Sequence, residues 1–272
     1  MRSILLFTFC FGWTLAADVE DKETLRQTFP AAAKLEVSNV IGSIRVTSSG
    51  SGQIEMVAQR TIRARDSAHL EQGKKEVTLE TAVSGGTLKI GVQFPKCDCG
   101  DNWRRGDRDY NVQFDFEIRA PAATAVDVKT VNNGDVVVQG MNGDFSARNV
   151  NGRVGVLDAG GSGSASTVNG PVRLSFTRNP AAAVSAKTVN GRITAEYPRD
   201  LSATLRFKTL NGDVFTDFPT TMMSNEPPER EVRGGRYIYR GNRWFGARVG
   251  NGGPEHKFET LNGTIEIRQK GQ

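Results

Sequence analysis

The residues best suited to chemistry crowd together between Phe218 and Glu255: Arg230, Arg233, Arg236, Tyr237, Tyr239, Arg240, Arg243, Trp244, Phe245 and Arg248. A guanidinium offers a planar fork of donors to carboxylates and phosphates, and Tyr or Trp adds a rigid apolar platform. That mixture suits interface hot spots and surfaces that hold sugars or phosphates. Arg233, Arg236, Tyr237, Tyr239, Arg240, Arg243 and Trp244 are therefore the candidate partner-binding residues. The competing structural reading is a hairpin that packs back and caps the chain, with Tyr237, Tyr239 and Trp244 on its buried side. A second candidate is the set Lys129, Arg148, Lys187 and Lys208, each one residue ahead of a Thr or Asn in a recurring phrase. Stacked one strand spacing apart, ~4.8 Å, they would form a basic ladder able to track an anionic envelope polymer. Ser166 and Glu259 interrupt that column, and Asp135, Arg153, Arg192 and Asp213 stand in a neighbouring one. A solvated face with alternating partners explains the same charges.

Other reactive residues are sparse. Cys97 and Cys99 lie in the loop from Pro95 to Asp109. They could close a strained, reducible disulfide across one residue, or act as a plain clip. Two thiols without a nearby His make a poor zinc site. His69 and His256 are distant from one another, each in charged surroundings and in no nucleophile or metal motif. Asp213 with Arg192, or Asp135 with Arg153, could imitate the groove of a glycan-active β-helix enzyme, although salt bridges between neighbouring strands account for these pairs too. The segment from Gly160 to Ala165 lacks the Asp ligands of a calcium-binding β-roll. The expectation is a protein that is not an enzyme and carries no cofactor.

What must position these residues is a repeat. Lys187-Thr188-Val189-Asn190-Gly191-Arg192-Ile193 returns as Lys208-Thr209-Leu210-Asn211-Gly212-Asp213-Val214 and as Glu259-Thr260-Leu261-Asn262-Gly263-Thr264-Ile265. Looser copies begin at Ser166, Arg148 and Lys129, with an early echo at Ser38. A period of about twenty residues signals stacked coils rather than an ordinary core. Each copy has an Asn-Gly corner, where φ > 0 is tolerated, and a second corner of different chemistry about ten residues on. Between corners the alternation is that of strands, as in Leu205/Phe207/Thr209 against Arg206/Lys208. The fold class expected is all-β: a parallel β-solenoid with about two strands per coil. A row of antiparallel hairpins fits the shorter beat, because Asn-Gly is a hairpin signal, but it does not explain two alternating kinds of corner. The Asn column (Asn133, Asn151, Asn169, Asn190, Asn211, Asn262) is expected to be a structural amide ladder.

On these T-(V/L)-N-G-x-(V/I) rungs, and on Gly250-Asn251-Gly252-Gly253-Pro254 leading into Phe258-Glu259-Thr260-Leu261-Asn262-Gly263, the chain resembles the DUF4097-type putative-adhesin ("toastrack") β-solenoid domains of bacterial envelope proteins. The likeness runs from about Leu35 to Arg268. It implies the solenoid fold and an adhesin-like or envelope-associated scaffold, and it carries over no catalytic residue.

The remaining organisation is less regular. Residues 1–17 read as a secretory signal peptide: Met1-Arg2-Ser3, an apolar run to Leu15, and small residues at Ala16 and Ala17. Residues 18–120 should form an N-terminal cap, with an amphipathic helix from Asp18 to Phe29, a second helix from Ser67 to Lys75, and strands at Gln53–Arg60, Val77–Val83, Thr87–Gln93 and Tyr110–Arg119. Residues 121–272 should be the repeat region, with a corner insertion at 218–255. The 272 residues are 38% hydrophobic with 30 Gly, which suits a thin core and many turns. A net charge of +5 is too small to argue for nucleic acid. The partner expected is an envelope protein or an anionic cell-surface polymer, in the periplasm or outside the cell, with membrane contact only indirect.

Overall fold

The structure is a computed structural model and describes residues 19–95, 109–223, 229–233, 236–240 and 244–271. The expected signal peptide, Cys97, Cys99 and Arg243 lie outside those residues.

The chain begins with β1 (Val19–Pro30), β2 (Lys34–Ser38), β3 (Ile44–Ser49), β4 (Gln53–Ala64), α1 (Ser67–Glu76), β5 (Thr78–Ser84), β6 (Thr87–Gln93) and β7 (Tyr110–Pro121). It continues through β8 (Ala125–Lys129), β9 (Val136–Gln139), β10 (Phe145–Arg148), β11 (Val154–Ala159), β12 (Gly163–Ser166), β13 (Val172–Phe176), β14 (Val184–Asn190) and β15 (Ile193–Tyr197). It ends with β16 (Ala203–Asn211), β17 (Val214–Thr216), β18 (Thr220–Met222), β19 (Glu229–Arg233), β20 (Arg236–Arg240), β21 (Phe245–Val249), β22 (Glu255–Asn262) and β23 (Ile265–Gln269). These strands make two large mixed sheets. Sheet A has the order β1-β4-β7-β3-β9-β11-β13-β15-β23-β17-β20-β19, and sheet B the order β18-β21-β16-β22-β14-β12-β10-β8-β2-β6-β5.

From β8 to β15 the chain visits the two sheets alternately, and each strand pairs in parallel with the next visit to its own sheet. Register places like on like. Val136, Val154, Val172, Ile193, Ile265 and Val214 form one column of sheet A, and every member is fully buried. β-Branched residues pack well in this setting because the inward side chain of each pleat meets its equivalent above and below. The buried residues of both sheets make a single cluster.

Two expectations are corrected. The segment from Asp18 is not a helix. Val19–Pro30 is a strand paired with β4 along its whole length. Its half-buried Val19, Asp21, Leu25 and Phe29 are all odd-numbered, so a spacing of four that suggested a helix also fits a period of two. The pairing is also not parallel throughout. β1, β4 and β7 pair antiparallel, as do β5 and β6, while at the other end β16–β21–β18 and β17–β20–β19 do the same. Of these pairs only β5–β6 and β19–β20 are short-loop hairpins, which must return antiparallel; β5 and β6 are joined by Gly85-Gly86, both at positive φ.

The order of rungs also departs from chain order. The β2–β3 pair of strands lies between β6–β7 and β8–β9, and the final β22–β23 pair lies between β14–β15 and β16–β17. Both ends of the repeat region thus lie between other strand pairs, and the outer edges are β1 and β5 at one end and β19 and β18 at the other.

The corner explains the repeated phrase. The Thr points inward and donates to the Gly carbonyl of the adjacent rung: Thr167 Oγ1 to Gly152 at 2.9 Å, Thr188 Oγ1 to Gly170 at 2.9 Å, Thr260 Oγ1 to Gly191 at 3.1 Å and Thr209 Oγ1 to Gly263 at 3.1 Å. Asn149 takes the Thr position in one rung and donates to Gly134 at 2.9 Å. The Asn side chains form the outer ladder, in the order Asn132, Asn151, Asn169, Asn190, Asn262 and Asn211, with amide contacts of 2.7–2.9 Å. Asn132, not Asn133, begins it; Asn133 is the extra residue of that turn, at φ 57°. The Gly is required by space, since a Cβ on Gly263 would stand 1.9 Å from the Gly191 carbonyl oxygen, and its φ is 158°.

Two core groups stand out. Phe176, Tyr197 and His256 stack with ring centroids 4.8 and 5.3 Å apart. The Tyr197 hydroxyl and both His256 nitrogens have no hydrogen-bond partner. Burial pushes the Tyr197 hydroxyl pKa up and the His256 imidazole down to about 4. His256 was expected in charged surroundings, but its neighbours in register are Val184 and Leu205, inside the core.

Two predictions follow from the corner and from the buried imidazole. Thr188→Val should cost about 1 kcal/mol, by taking the side-chain donor from a partly buried carbonyl, and Gly263→Ala about 3 kcal/mol or more, both read as shifts in urea midpoint. His256 binds its proton more readily in the unfolded chain, so stability should fall as pH drops from about 6.5 to about 4, by at most about 1.4 kcal/mol per pH unit. The difference in unfolding free energy between His256→Leu and the parent should grow in favour of the variant between pH 7.5 and pH 4.5. An unchanged difference would mean that the imidazole is not buried and neutral.

Candidate functional site

The basic column exists in register, but it is not a continuous ladder. On the outer face of sheet B the order is Lys129, Arg148, Ser166, Lys187, Glu259, Lys208. Intercalation of β22 sets Glu259 between two lysines, 3.0 Å from Lys187 Nζ and 3.4 Å from Lys208 Nζ. Burial alone would raise the Glu259 pKa, but hydrogen bonds and charge from Lys187 and Lys208 outweigh it and hold the carboxylate below its usual range. Arg148 is engaged by Asp127 at 2.8 Å. Lys129 and Arg148 instead border a shallow groove of about 350 Å³ that crosses β5, β6, β2, β8 and β10, with Glu36, Glu80, Lys89 and Asp127 also on its walls. Charges of both signs there give it no net preference for an anion.

The insertion divides between the two sheets. β20 pairs antiparallel with β17, with Tyr239 opposite Val214 and Tyr237 opposite Thr216, and β19 forms the edge beyond it. Arg233, Arg236, Tyr237, Tyr239 and Arg240 therefore lie on the terminal hairpin of sheet A. β21 goes to sheet B, where Phe245 is buried against Phe207 with centroids 5.4 Å apart. Capping is thus part of the insertion's role. Trp244, just ahead of β21, is not on the buried side. It is 38% exposed, and Lys208 Nζ lies 5.8 Å from its ring centroid.

This contact joins the two sequence candidates, because the last lysine of the column meets the aromatic of the insertion. Gly246 is the next outward position on β21. Gly246 is itself buried, and a Cβ there would stand 3.3 Å from the Arg206 side chain and 3.5 Å from that of Met223, so those two side chains cover it. Met223 is 47% exposed. Arg206 Nε is buried without a hydrogen-bond partner. The arrangement offers an apolar ring, a thioether and two cations on one rigid sheet face, suited to a ligand with an apolar face and an acidic group. Arg206, Met223 and Gly246 were not singled out from sequence, although Trp244 and Gly246 keep the outward phase against buried Phe245 and Ala247.

The other candidates pair locally. His69 Nδ1 lies 2.7 Å from Asp66 Oδ1 at the start of α1. Arg153 and Asp135 form an exposed pair at 3.6 Å between neighbouring rungs. Among the described residues there is no group of three or more His, Cys, Asp or Glu that could hold a metal ion, and no helix is long and apolar enough to cross a membrane.

No family model matches this chain, nor does the sequence of any curated protein. Solved structures similar to it include a putative cell adhesion protein from Clostridium sporogenes, at 14% identity and TM-score 0.43, covering 93% of this chain and 100% of that one. A putative adhesin from Bacteroides fragilis is similar at 13% identity and TM-score 0.36, covering 92% and 98%. A putative lipid binding protein from Parabacteroides distasonis is similar at 12% identity and TM-score 0.27, covering 92% and 96%. Scores and identities this low transfer neither a ligand nor an activity.

Glu259→Gln tests the divided column. It should release Lys187 and Lys208, delay elution from a cation exchanger, and change stability by no more than about 1 kcal/mol. Unchanged elution would mean that Glu259 does not neutralise the two lysines.

Proposed function

We propose that the protein is an exported, non-catalytic, adhesin-like interaction protein whose parallel central strands serve as a β-solenoid scaffold. Its binding surface is the outer face of sheet B at the insertion end, and its ligand is an acidic glycan of the cell envelope. The observation that carries this reading is Trp244, 38% exposed, with Lys208 Nζ 5.8 Å from its ring centroid. A sugar ring can lie on the indole while its carboxylate or phosphate meets Lys208 and Arg206. The N-terminal pattern of residues 1–17 supports export.

Point substitutions test this better than removal of the insertion, because β21 covers Phe207 and its loss would expose the core. The mature chain should retard in affinity electrophoresis through acidic polysaccharides and not through neutral ones. Trp244→Ala and Lys208→Gln should each weaken binding about tenfold, with unchanged circular dichroism. Equal retardation of parent and variants would place the ligand elsewhere, and no retardation by any acidic polymer would overturn the glycan reading.

A further inference from the structure

The edges of the two sheets are protected unequally. At one end sheet A closes with β1, which carries Glu20, Asp21, Lys22, Glu23 and Arg26; at the other it closes with β19, which carries Glu229, Arg230, Glu231 and Arg233. Sheet B closes at the insertion end with β18, only three residues long. Charge and shortness are common devices against unwanted strand pairing. The remaining edge, β5, has neither: Thr78-Leu79-Glu80-Thr81-Ala82-Val83-Ser84 is seven residues with one charge.

Its geometry is open to a further strand. The Gly85-Gly86 turn makes Ser84 and Thr87 the pair that exchanges backbone hydrogen bonds. By alternation, Ala82, Glu80 and Thr78 also point their backbone groups at β6, while Leu79, Thr81 and Val83 point theirs away from it. Among the described residues β5 pairs with β6 alone. Val83 shares the inward phase of Leu79, and its partner Leu88 is fully buried, yet Val83 itself is 54% exposed.

The sheets also end out of step. Beyond the β2–β3 coil, sheet A continues through β7, β4 and β1, whereas sheet B continues only through β6 and β5. Sheet B therefore has no strand across from β1: α1 reaches the Asp21 end of β1, with Lys74 Nζ 3.4 Å from Asp21, while Leu25 and Phe29 farther along stay only half-buried. That same overhang would bring two β1 strands into collision if β5 paired with β5 of a second copy, so the place suits a single strand rather than another whole domain. Glu80 adds a charge preference. Its cross-strand neighbour is Gly91, and no cation stands opposite it in the sheet.

We propose that β5 is a docking edge for an extended polypeptide segment of a partner protein, which adds as a terminal strand of sheet B. The segment is defined by chemistry: β-branched apolar residues at alternate positions, facing inward beside Val83 and across from β1, and a Lys or Arg opposite Glu80. Backbone groups of Leu79, Thr81 and Val83 supply the affinity, and the inward pockets and Glu80 supply selection. This site is at the opposite end of the molecule from Trp244 and does not depend on the glycan reading.

The test uses the full mature chain and a labelled, capped peptide, Thr-Val-Thr-Val-Lys-Val-Thr, whose Lys falls opposite Glu80 in antiparallel register. Binding by fluorescence anisotropy should be about fivefold tighter than for the same peptide with Glu in place of Lys, and Glu80→Lys should reverse that preference. Hydrogen exchange at residues 79, 81 and 83 should slow on binding. No binding, a preference that Glu80→Lys leaves unchanged, or amides at 79, 81 and 83 already protected without peptide would each overturn the proposal.

Discussion

The structure depends on the approach of one glycine to the next at the repeated corner. Successive Gly backbones pass so closely that a side chain would overlap the carbonyl below, at 2.0 Å for Gly191 over Gly170 and 1.9 Å for Gly263 over Gly191. That approach leaves a row of partly buried carbonyls at the corner, where an unpaired acceptor is costly. The inward Thr of the neighbouring rung meets each one. Gly and Thr are thus two halves of one device, and the Asn between them closes the outside with a side-chain amide ladder. Strand register, the β-branched columns and the charge column on the outer face all take their spacing from it.

A stack built this way is weakest where it ends, because a terminal rung has neighbours on one side only. Here the two ends of the repeat are drawn inward, β2–β3 at one end and β22–β23 at the other, and antiparallel strands form the outermost edges, β1 and β5 at one end and β19 and β18 at the other. Lys270, just past β23, reaches Asp158 at 2.7 Å and anchors the C-terminal segment to the middle of the stack. Capping and binding then become compatible tasks for the insertion. Its inward residues Phe245, Ala247 and Val249 close the core, while the alternate positions Trp244 and Gly246 shape the outer face.

Much of this was legible in the sequence. The T-(V/L)-N-G phrase marked the corners, alternation marked the inward and outward sets, and Thr87–Gln93 was located to the residue. Three features were not, each for a physical reason. Leu25 and Phe29 fit two periodicities at once, and the long partner strand β4 that decides between them is distant in sequence. Sequence adjacency suggested Asn190 beside Asn211, but rung order is a property of topology, and the Asn262 rung stands between them. His256 reads as one member of a polar Glu-His-Lys run, although it shares the inward phase of Phe258, and only the column from Val184 to Leu205 reveals its burial. For the site, Trp244 and Lys208 were named separately; their contact follows from the antiparallel return of β21 onto β16, which no local pattern encodes.

If the close-packed corner and the inserted terminal rung make the stack one cooperative unit, native-state hydrogen exchange across a urea series will show it. Amides of Gly170, Gly191 and Gly263 donate across rungs to Asn190, Asn262 and Asn211. They should exchange only through global unfolding, with the same urea dependence as the β9–β15 core, and β22 and β23 should match them. Exchange of β22 and β23 through a local opening, insensitive to urea and faster than that of β14 and β15, would show that the C-terminal coil is a detachable end and contradict the account.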